Sequence, residues 1–352
     1  MGKDLCIRCE KSSGEAVRKI LVSLGMLDPG RGICAEGRSL FLPVLRSPTQ
    51  SELELISKIA VVELDRRHLP ILRKKKSSLD ELLVGRVPES ALRAVPRSYD
   101  FVGDIIVLEG ISPEAAFYRR EIAEALLTMH SHCRSVLLKT DRVSGQYRVP
   151  QLECLAGEDR RVTVHSEYGV KMKVDLSKAY FSPRLGYERH RVASSVRDGE
   201  TVVDMFAGVG PFSLMIAKSS KSEVHAIDIN PEAIRLLKEN IAMNRLRGAI
   251  FPICGDARQA SLKMQHLADR VIMNLPGQSL EFLNVATALL KEGGGLIHLY
   301  LFSREPPIEN AVTALKRRSS HVPGNLEVIC SRVVKATAPR EWMVSLDLLF
   351  KP

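Results

Sequence analysis

The feature that most constrains this chain is an alternation that begins near residue 170. Apolar runs of strand length take turns with amphipathic helical runs: 201–205 then 211–218, 223–227 then 231–244, 250–254, 270–273 then 279–290, and 296–301. A strand that is apolar along its length must be covered on both faces, and the intervening helices supply the cover. The pattern predicts a Rossmann-like, mostly parallel α/β sheet flanked by helices. Two late runs, 326–334 and 343–350, have no helix between them and read as an antiparallel hairpin at the sheet edge.

The first of these strands runs into Asp204-Met205-Phe206-Ala207-Gly208-Val209-Gly210-Pro211-Phe212, where a helix opens. Glycines permit the sharp turn and let a ligand approach the backbone. The next strand ends at Asp228, placed to hold ribose hydroxyls; Asp256 follows the third, placed to accept from an adenine amino group. Ligands of open α/β sheets bind at the carboxyl ends of the strands, so these groups converge. Each carboxylate alone could be a strand-end cap; together they describe a nucleoside site. Charge then separates two cofactors. A pyrophosphate favours a helix N-terminus without a neighbouring anion, whereas a sulfonium with an ammonium group favours the carboxylate of Asp204. Ser213 also stands where a dinucleotide fingerprint has its third glycine. The expected cofactor is S-adenosylmethionine rather than NAD, held by Asp204, Phe206, Gly208, Gly210, Asp228 and Asp256.

Two other stretches carry reactive potential. Asn274-Leu275-Pro276-Gly277 follows the fourth strand and puts a carboxamide and carbonyls at the ligand edge. It lacks the second proline and the aromatic of methylases acting on exocyclic base amines, and alone it reads equally as a turn. Before the sheet, Tyr180-Phe181-Ser182-Pro183-Arg184-Leu185-Gly186-Tyr187-Glu188-Arg189 mixes aromatics, arginines and one acid. Stacking residues and cations suit an unstacked base and its phosphates. The competing readings are core packing for Tyr180 and Phe181, and a helix-surface ion pair of Glu188 with Arg184 or Arg189.

Upstream, 5–9 reads as a strand, 15–24 as a helix ended by Gly25, and 39–44 and 59–64 as strands, a small α+β module over 1–72. The basic run Arg73-Lys74-Lys75-Lys76 reads as a linker opening a middle α+β region, 73–168. There 104–108 and 135–139 are strands, a helix starts at Ser112-Pro113, and a polar loop carries Arg142 and Arg148. The catalytic domain is expected over 169–352. A formal charge of +10 favours a polyanionic partner. No run approaches the roughly 20 apolar residues of a membrane span. The N-terminus leads into no apolar signal core and lacks the Ser or Thr of a myristoylation site. Seven cysteines without a framework fit reduced thiols, with Cys6 and Cys9 an isolated C-x-x-C. These features predict a cytoplasmic protein, and no metal follows from the residues quoted.

Taken together the segments resemble the tRNA guanosine-37 N1-methyltransferases of archaea and eukaryotes. The resemblance is carried by Lys11 to Arg18, Pro96 to Asp104, Tyr147-Arg148-Val149, Leu155 to Glu158, Tyr180 to Arg189, Asp204 to Phe212, Asn274 to Pro276, and Ala338-Pro339-Arg340. Tyr187 and Gly277 depart from the family pattern. The resemblance implies an N-terminal module that reads the tRNA outer corner, a middle domain and a class I methyltransferase domain. It implies Glu188 as general base, Arg148 stabilising charge on guanine O6, and Asn274 donating to the same edge. It also places Tyr180, Phe181, Asn274 and Pro276 at the cofactor, Arg142 at the RNA backbone, and Arg184 and Arg189 at the RNA backbone or orienting Glu188. The chemistry agrees, because N1 of neutral guanine carries a proton that must leave as the methyl arrives. The expected partner is tRNA and the expected state a monomer. A neighbouring family, which moves the aminocarboxypropyl arm of the same cofactor in wybutosine formation, is the alternative, as is added action on a tricyclic guanosine derivative. A non-catalytic RNA-binding protein on the same scaffold is the reading from another class.

Overall fold

The computed structural model describes residues 3–71, 78–141, 147 and 149–352. The chain divides into two compact units, Met1–Ser77 and Ser78–Pro352. In the first, strands β1 (Asp4–Glu10), β2 (Cys34–Glu36), β3 (Ser39–Pro43) and β4 (Glu63–Arg67) form one sheet in the order β2-β3-β1-β4. Helix α1 (Gly14–Ser23) buries Val17 and Leu21, spaced i, i+4, and ends at Gly25 with φ +64°. Helix α2 (Gln50–Ser57) starts at a reciprocal Thr49–Glu52 cap. The strand expected at 59–64 begins later, because the amides of Ile59 and Ala60 bond back to Ile56 and close α2. Cys6 and Cys9 are both buried but face opposite sides of β1, Cys6 with Phe41 and Leu69, Cys9 with Val17 and Leu42. Three positions apart on a strand, they do not share a site.

The second unit opens with the short helices α3 (Leu79–Leu83) and α4 (Glu89–Leu92). A sheet follows, β5 (Asp100–Val102), β6 (Ile105–Leu108), β7 (Ser135–Lys139) and β8 (Leu152–Gly157), covered by α5 (Arg119–Met129). The helix expected from Ser112 starts at Arg119 instead. Ser112 is drawn to the Ala94 carbonyl, and a turn with one 3-10 stretch, Ala116–Tyr118, precedes it. The hairpin β9 (Val162–Glu167) and β10 (Val170–Asp175) turns on Tyr168 and Gly169, both at positive φ (47° and 76°). That is the two-residue turn matching strand twist. The boundary expected at 168/169 falls on this turn. The middle region also shares a core with the catalytic one, where Val102, Ile105, Val107 and Leu137 join Val170, Val202 and Val224.

The principal sheet arises as the alternation requires. After α6 (Gly186–Ser195) come β11 (Thr201–Asp204), α7 (Pro211–Ser219), β12 (Glu223–Asp228), α8 (Pro231–Met243), β13 (Ala249–Cys254), α9 (Ala257–Ser261), β14 (Arg270–Met273), α10 (Leu283–Leu289) and β15 (Gly295–Arg304). Helix α11 (Pro307–Ser319), which the sequence reading left out, buries Ala311 and Leu315, packs Ile308 and Val312 partly buried beside them, and turns its charged residues outward. Strands β16 (Asn325–Ala338) and β17 (Glu341–Lys351) form the closing hairpin. The order is β13-β12-β11-β14-β15-β17-β16, parallel except for β17, which runs antiparallel to both neighbours. One core lies on each face, with Val202, Ala226, Ile272 and Tyr300 on one side and Val203, Ile227, Met273 and Leu299 on the other.

Candidate active site

Side chains alternate across a strand, and directly paired residues of neighbouring strands share a face. Asp204 pairs with Ala226 and with Ile272, Ile272 with His298, and His298 with Asp347; Tyr300 pairs with Ser345. Asp204, Asp228, His298, Tyr300, Ser345 and Asp347 therefore stand on the face that α6 covers. Asn274 follows directly on β14, at the level of Tyr300, since Leu299 pairs with Met273. The Phe302 amide bonds to the Pro276 carbonyl, which ties the Asn-Leu-Pro turn to β15.

Glu188 enters this face from the first turn of α6, where negative charge is favoured by the helix. It is 2% exposed. Arg191, one turn on, donates to both carboxylate oxygens (3.0 and 2.6 Å), and the Tyr300 hydroxyl donates to one of them at 2.9 Å. The ion pair weighed from sequence exists, but its partner is Arg191 and it is buried. Arg191 also reaches Asp347 at 2.6 Å, and Asp347 accepts from His298 Nδ1 at 2.6 Å. Burial alone would raise the Asp347 carboxyl; donors from His298 and Arg191 outweigh it and hold the group below the usual carboxylate range. Burial, then the Glu188 charge, pushes the Tyr300 phenol up, and burial pushes the His298 imidazole down.

The glycine loop is fixed from two sides. Gly210, at φ +87°, caps α7, and a side chain there would collide with Leu237. The Gly208 amide donates to Asp228 at 2.6 Å and the Asn230 amide at 2.9 Å, so Asp228 links β12 to the loop. Burial raises the Asp228 carboxyl, and those amides partly offset it. Asp204 is 1% exposed and accepts from Ser213 at 2.8 Å. Burial pushes its carboxyl up to about 7. Asp256 is half-buried and caps α9 through the Arg258 amide at 2.7 Å. Among the described residues, the buried Oδ1 atoms of Asp204 and Asn274 have no hydrogen-bond partner. Two orphaned acceptors at the ligand edge of the sheet are unsatisfied without a donor-rich guest. An amine-bearing, cationic nucleoside fits them.

Other expected residues separate. Tyr180 is exposed, as a stacking residue needs, whereas Phe181 is core, packed on His165 with Arg189 over its ring. Phe206 packs edge-on against Phe282. Arg184 is exposed and pairs with Asp100 at 2.6 Å, joining the α6 approach to β5. Arg189 requires a correction. It is 2% exposed, with both Glu167 oxygens (2.8 and 2.9 Å) and the Ser182 carbonyl (2.7 Å) as partners, so it has no surface for RNA and no bond to Glu188. Tyr187 is exposed although Glu188 beside it is buried. Arg142 and Arg148 lie outside the described residues. Sequence reasoning missed Arg191, Tyr300 and Asp347. The available signal was a single acid inside the apolar run Val344-Ser345-Leu346-Asp347-Leu348. Lys335 was missed as well. It reaches Ser182 Oγ at 3.1 Å, and burial, then nearby Arg184, brings its ammonium down to about 8.

A sheet of order β13-β12-β11-β14-β15-β17-β16, with a glycine loop after its first strand and carboxylates at the next two strand ends, defines a class I S-adenosylmethionine-dependent methyltransferase fold. Family descriptions match along the chain: the TRM5/TYW2 methyltransferase domain over 163–328, the TYW2 N-terminal domain over 79–160 and the tRNA methyltransferase 5 N-terminal domain over 6–52. The tRNA (guanine(37)-N(1))-methyltransferase Trm5b of Methanocaldococcus jannaschii is 37% identical, covering 97% of this chain and 98% of its own. The Trm5b of Pyrococcus abyssi is also 37% identical with the same coverage. Its crystal structure superposes with a TM-score of 0.73 at 35% identity, covering 99% of this chain and 100% of that one. The complex structure of aTrm5 and tRNALeu gives 0.73 at 36% identity, covering 98% of this chain and 99% of that one. A tRNA(Phe) (4-demethylwyosine(37)-C(7)) aminocarboxypropyltransferase of Pyrococcus horikoshii is 33% identical but covers only 78% of this chain, and 96% of its own length. The chain belongs to the tRNA (guanine-37-N1)-methyltransferase family.

Proposed function

We infer that this protein transfers a methyl group from S-adenosylmethionine to N1 of guanosine 37 in tRNA. The observation that carries the reading is the buried Glu188 carboxylate, fixed one strand from Asn274 on the ligand side of a class I sheet. Its nearly full-length likeness to the two Trm5b enzymes supports the same reaction. The aminocarboxypropyl reading is weaker, because that relative leaves about a fifth of this chain unmatched.

When bound, S-adenosylmethionine supplies an electrophilic methyl on a cationic sulfur. Asp228 and the Gly208–Gly210 turn hold its nucleoside, Phe206 and Pro276 line it, Tyr180 stacks at the entrance, and Asp256 accepts from the adenine. Asp204 opposes its positive charge. Glu188 takes the N1 proton of the target base, which must leave its stack to reach this depth. Asn274 fixes the base edge, with Oδ1 free to accept from a ring or amino N–H. Arg148 stabilises negative charge on O6. Arg184 contacts the RNA backbone together with Arg142, the 1–72 module selects the tRNA, and the enzyme acts as a monomer. No helix among the described residues is long and apolar enough to cross a membrane, and the protein works in the cytoplasm.

The test is reaction of an unmodified tRNA transcript with methyl-labelled cofactor, followed by digestion and nucleoside identification. The expected product is N1-methylguanosine from position 37. Label at another atom or position, or transfer of the cofactor's amino-acid arm, overturns the assignment.

A further inference from the structure

Glu188 does not stand alone, and the group around it has an unusual charge count. Its Oε1 accepts from Arg191 Nη2 at 2.6 Å and from the Tyr300 hydroxyl at 2.9 Å. Its Oε2 accepts only from Arg191 Nε, at 3.0 Å. A carboxylate oxygen has two acceptor sites, so Oε1 is filled and Oε2 keeps one. On its other side Arg191 donates to Asp347, at 2.6 and 3.1 Å, and from Nη2 more distantly to Ser345 Oγ at 3.4 Å. Behind Asp347, His298 Nε2 faces Arg270 Nη1 at 2.8 Å. A guanidinium can only donate, so Nε2 accepts, Nδ1 carries the hydrogen given to Asp347, and the imidazole is neutral. Arg270 is matched by Glu200 at 3.0 Å. One guanidinium thus serves two buried carboxylates, and the Glu188–Arg191–Asp347 group carries one net negative charge.

We propose that Arg191 and Asp347 are positioning residues for methyl transfer, sharing a single positive charge between two carboxylates so that Glu188 is fixed yet still takes a proton at Oε2. The proposal rests on Glu188 being the base. In an isolated Arg–Glu pair, protonating the acid strands an unmatched cation in the interior, which is costly. Here the same proton brings the group to neutrality, and Arg191 stays matched by Asp347. The step balances: the N1–H bond breaks as Oε2–H forms, the N1 electron pair goes to the methyl carbon, and the electrons of the carbon–sulfur bond stay on sulfur. The charged and titratable groups facing Glu188 are Arg191 on its own helix, Tyr300 on β15 and, through Arg191, Asp347 on β17 with His298 behind it. Tyr300 sets the opposite balance, since its hydroxyl stabilises the unprotonated acid.

The experiment is single-turnover methylation of a tRNA transcript at saturating S-adenosylmethionine across pH, using the full chain. Cofactor affinity is measured by calorimetry and folding by thermal melting. Asp347→Asn should bind cofactor normally, lose about tenfold or more of the plateau rate, and move the acid limb to lower pH. Tyr300→Phe should move that limb to higher pH. A wild-type plateau and limb in Asp347→Asn, or a slower plateau with an unmoved limb, overturns the proposal. Should Asp347→Asn not fold, an unmoved or lowered limb in Tyr300→Phe overturns it equally. Glu188→Gln separates the layers. Full rate in that variant defeats the base assignment itself, whereas a slow Glu188→Gln beside a wild-type Asp347→Asn defeats only the sharing.

Discussion

Asp204 is the residue whose surroundings most resist its charge. Its carboxyl sits at about 7 because burial removes water, and the Ser213 hydroxyl and Phe206 amide only partly offset that loss. In the unfolded chain an aspartate titrates near 4. The folded state therefore binds more protons than the unfolded one between roughly pH 4 and 7, and in that window stability falls as pH rises. Asp204→Asn should flatten this dependence, which urea unfolding at several pH values would measure; an equal slope in both proteins would contradict it. The limiting slope from one such group is about 1.4 kcal/mol per pH unit. Function runs the other way. A cationic guest favours the ionised carboxylate, so cofactor affinity should rise with pH through about 7 in the wild type and stay flat in Asp204→Asn. The fold tolerates an ill-matched acid at the position proposed to oppose the cofactor's positive charge.

At the scale of an element, α6 carries two glutamate–arginine pairings with different roles. Glu188 and Arg191 face the sheet, while Arg189 is locked to Glu167 of β9. Burial alone would raise the Glu167 carboxyl, but the His165 hydrogen bond and the Arg189 charge hold it below its usual value. Removing one partner of a buried pair leaves the other charge uncompensated, so Arg189→Met should cost about 3 kcal/mol in stability. Chemical denaturation checks this, and a loss under about 1 kcal/mol would mean the pair is solvated. The same helix shows what could be read in advance. The glycine loop, the strand-end aspartates and the strand–helix alternation obey local periods, and a local period is written in neighbouring residues. Glu188 was singled out through its motif. Its partners were not, because Asp347 lies 156 positions from Arg191 and Tyr300 lies 112 from Glu188. Arg189 was misread for the same reason: the partner that buries it is 22 positions upstream on another strand. Helix α11 carries the same local signal, with Ile308, Ala311, Val312 and Leu315 at i, i+3, i+4 and i+7, and was passed over rather than hidden.

Over the whole molecule, every residue placed at the cofactor or at Glu188 lies in the unit Ser78–Pro352. That unit holds two continuous cores on the faces of one large sheet and a third beneath α5. The N-terminal unit has its own small core around Ile7, Val17, Leu21, Leu42 and Ile56. Buried fraction grows with chain length, so the larger unit has the surface economy to fold alone and the smaller one is marginal. A fragment beginning at Ser78 should therefore melt cooperatively and bind S-adenosylmethionine with the affinity of the full chain. On the proposed roles the lost module takes no part in proton removal or cofactor binding, so the fragment's deficit should appear in tRNA discrimination. The measure is kcat/KM for a full tRNA against that for an anticodon stem-loop: the full chain should prefer the tRNA, and the fragment should treat the two alike. A fragment that binds cofactor weakly would show that the larger unit depends on the smaller. One that keeps the full preference would remove the N-terminal module from tRNA selection and leave that task to the middle sheet of β5 to β8.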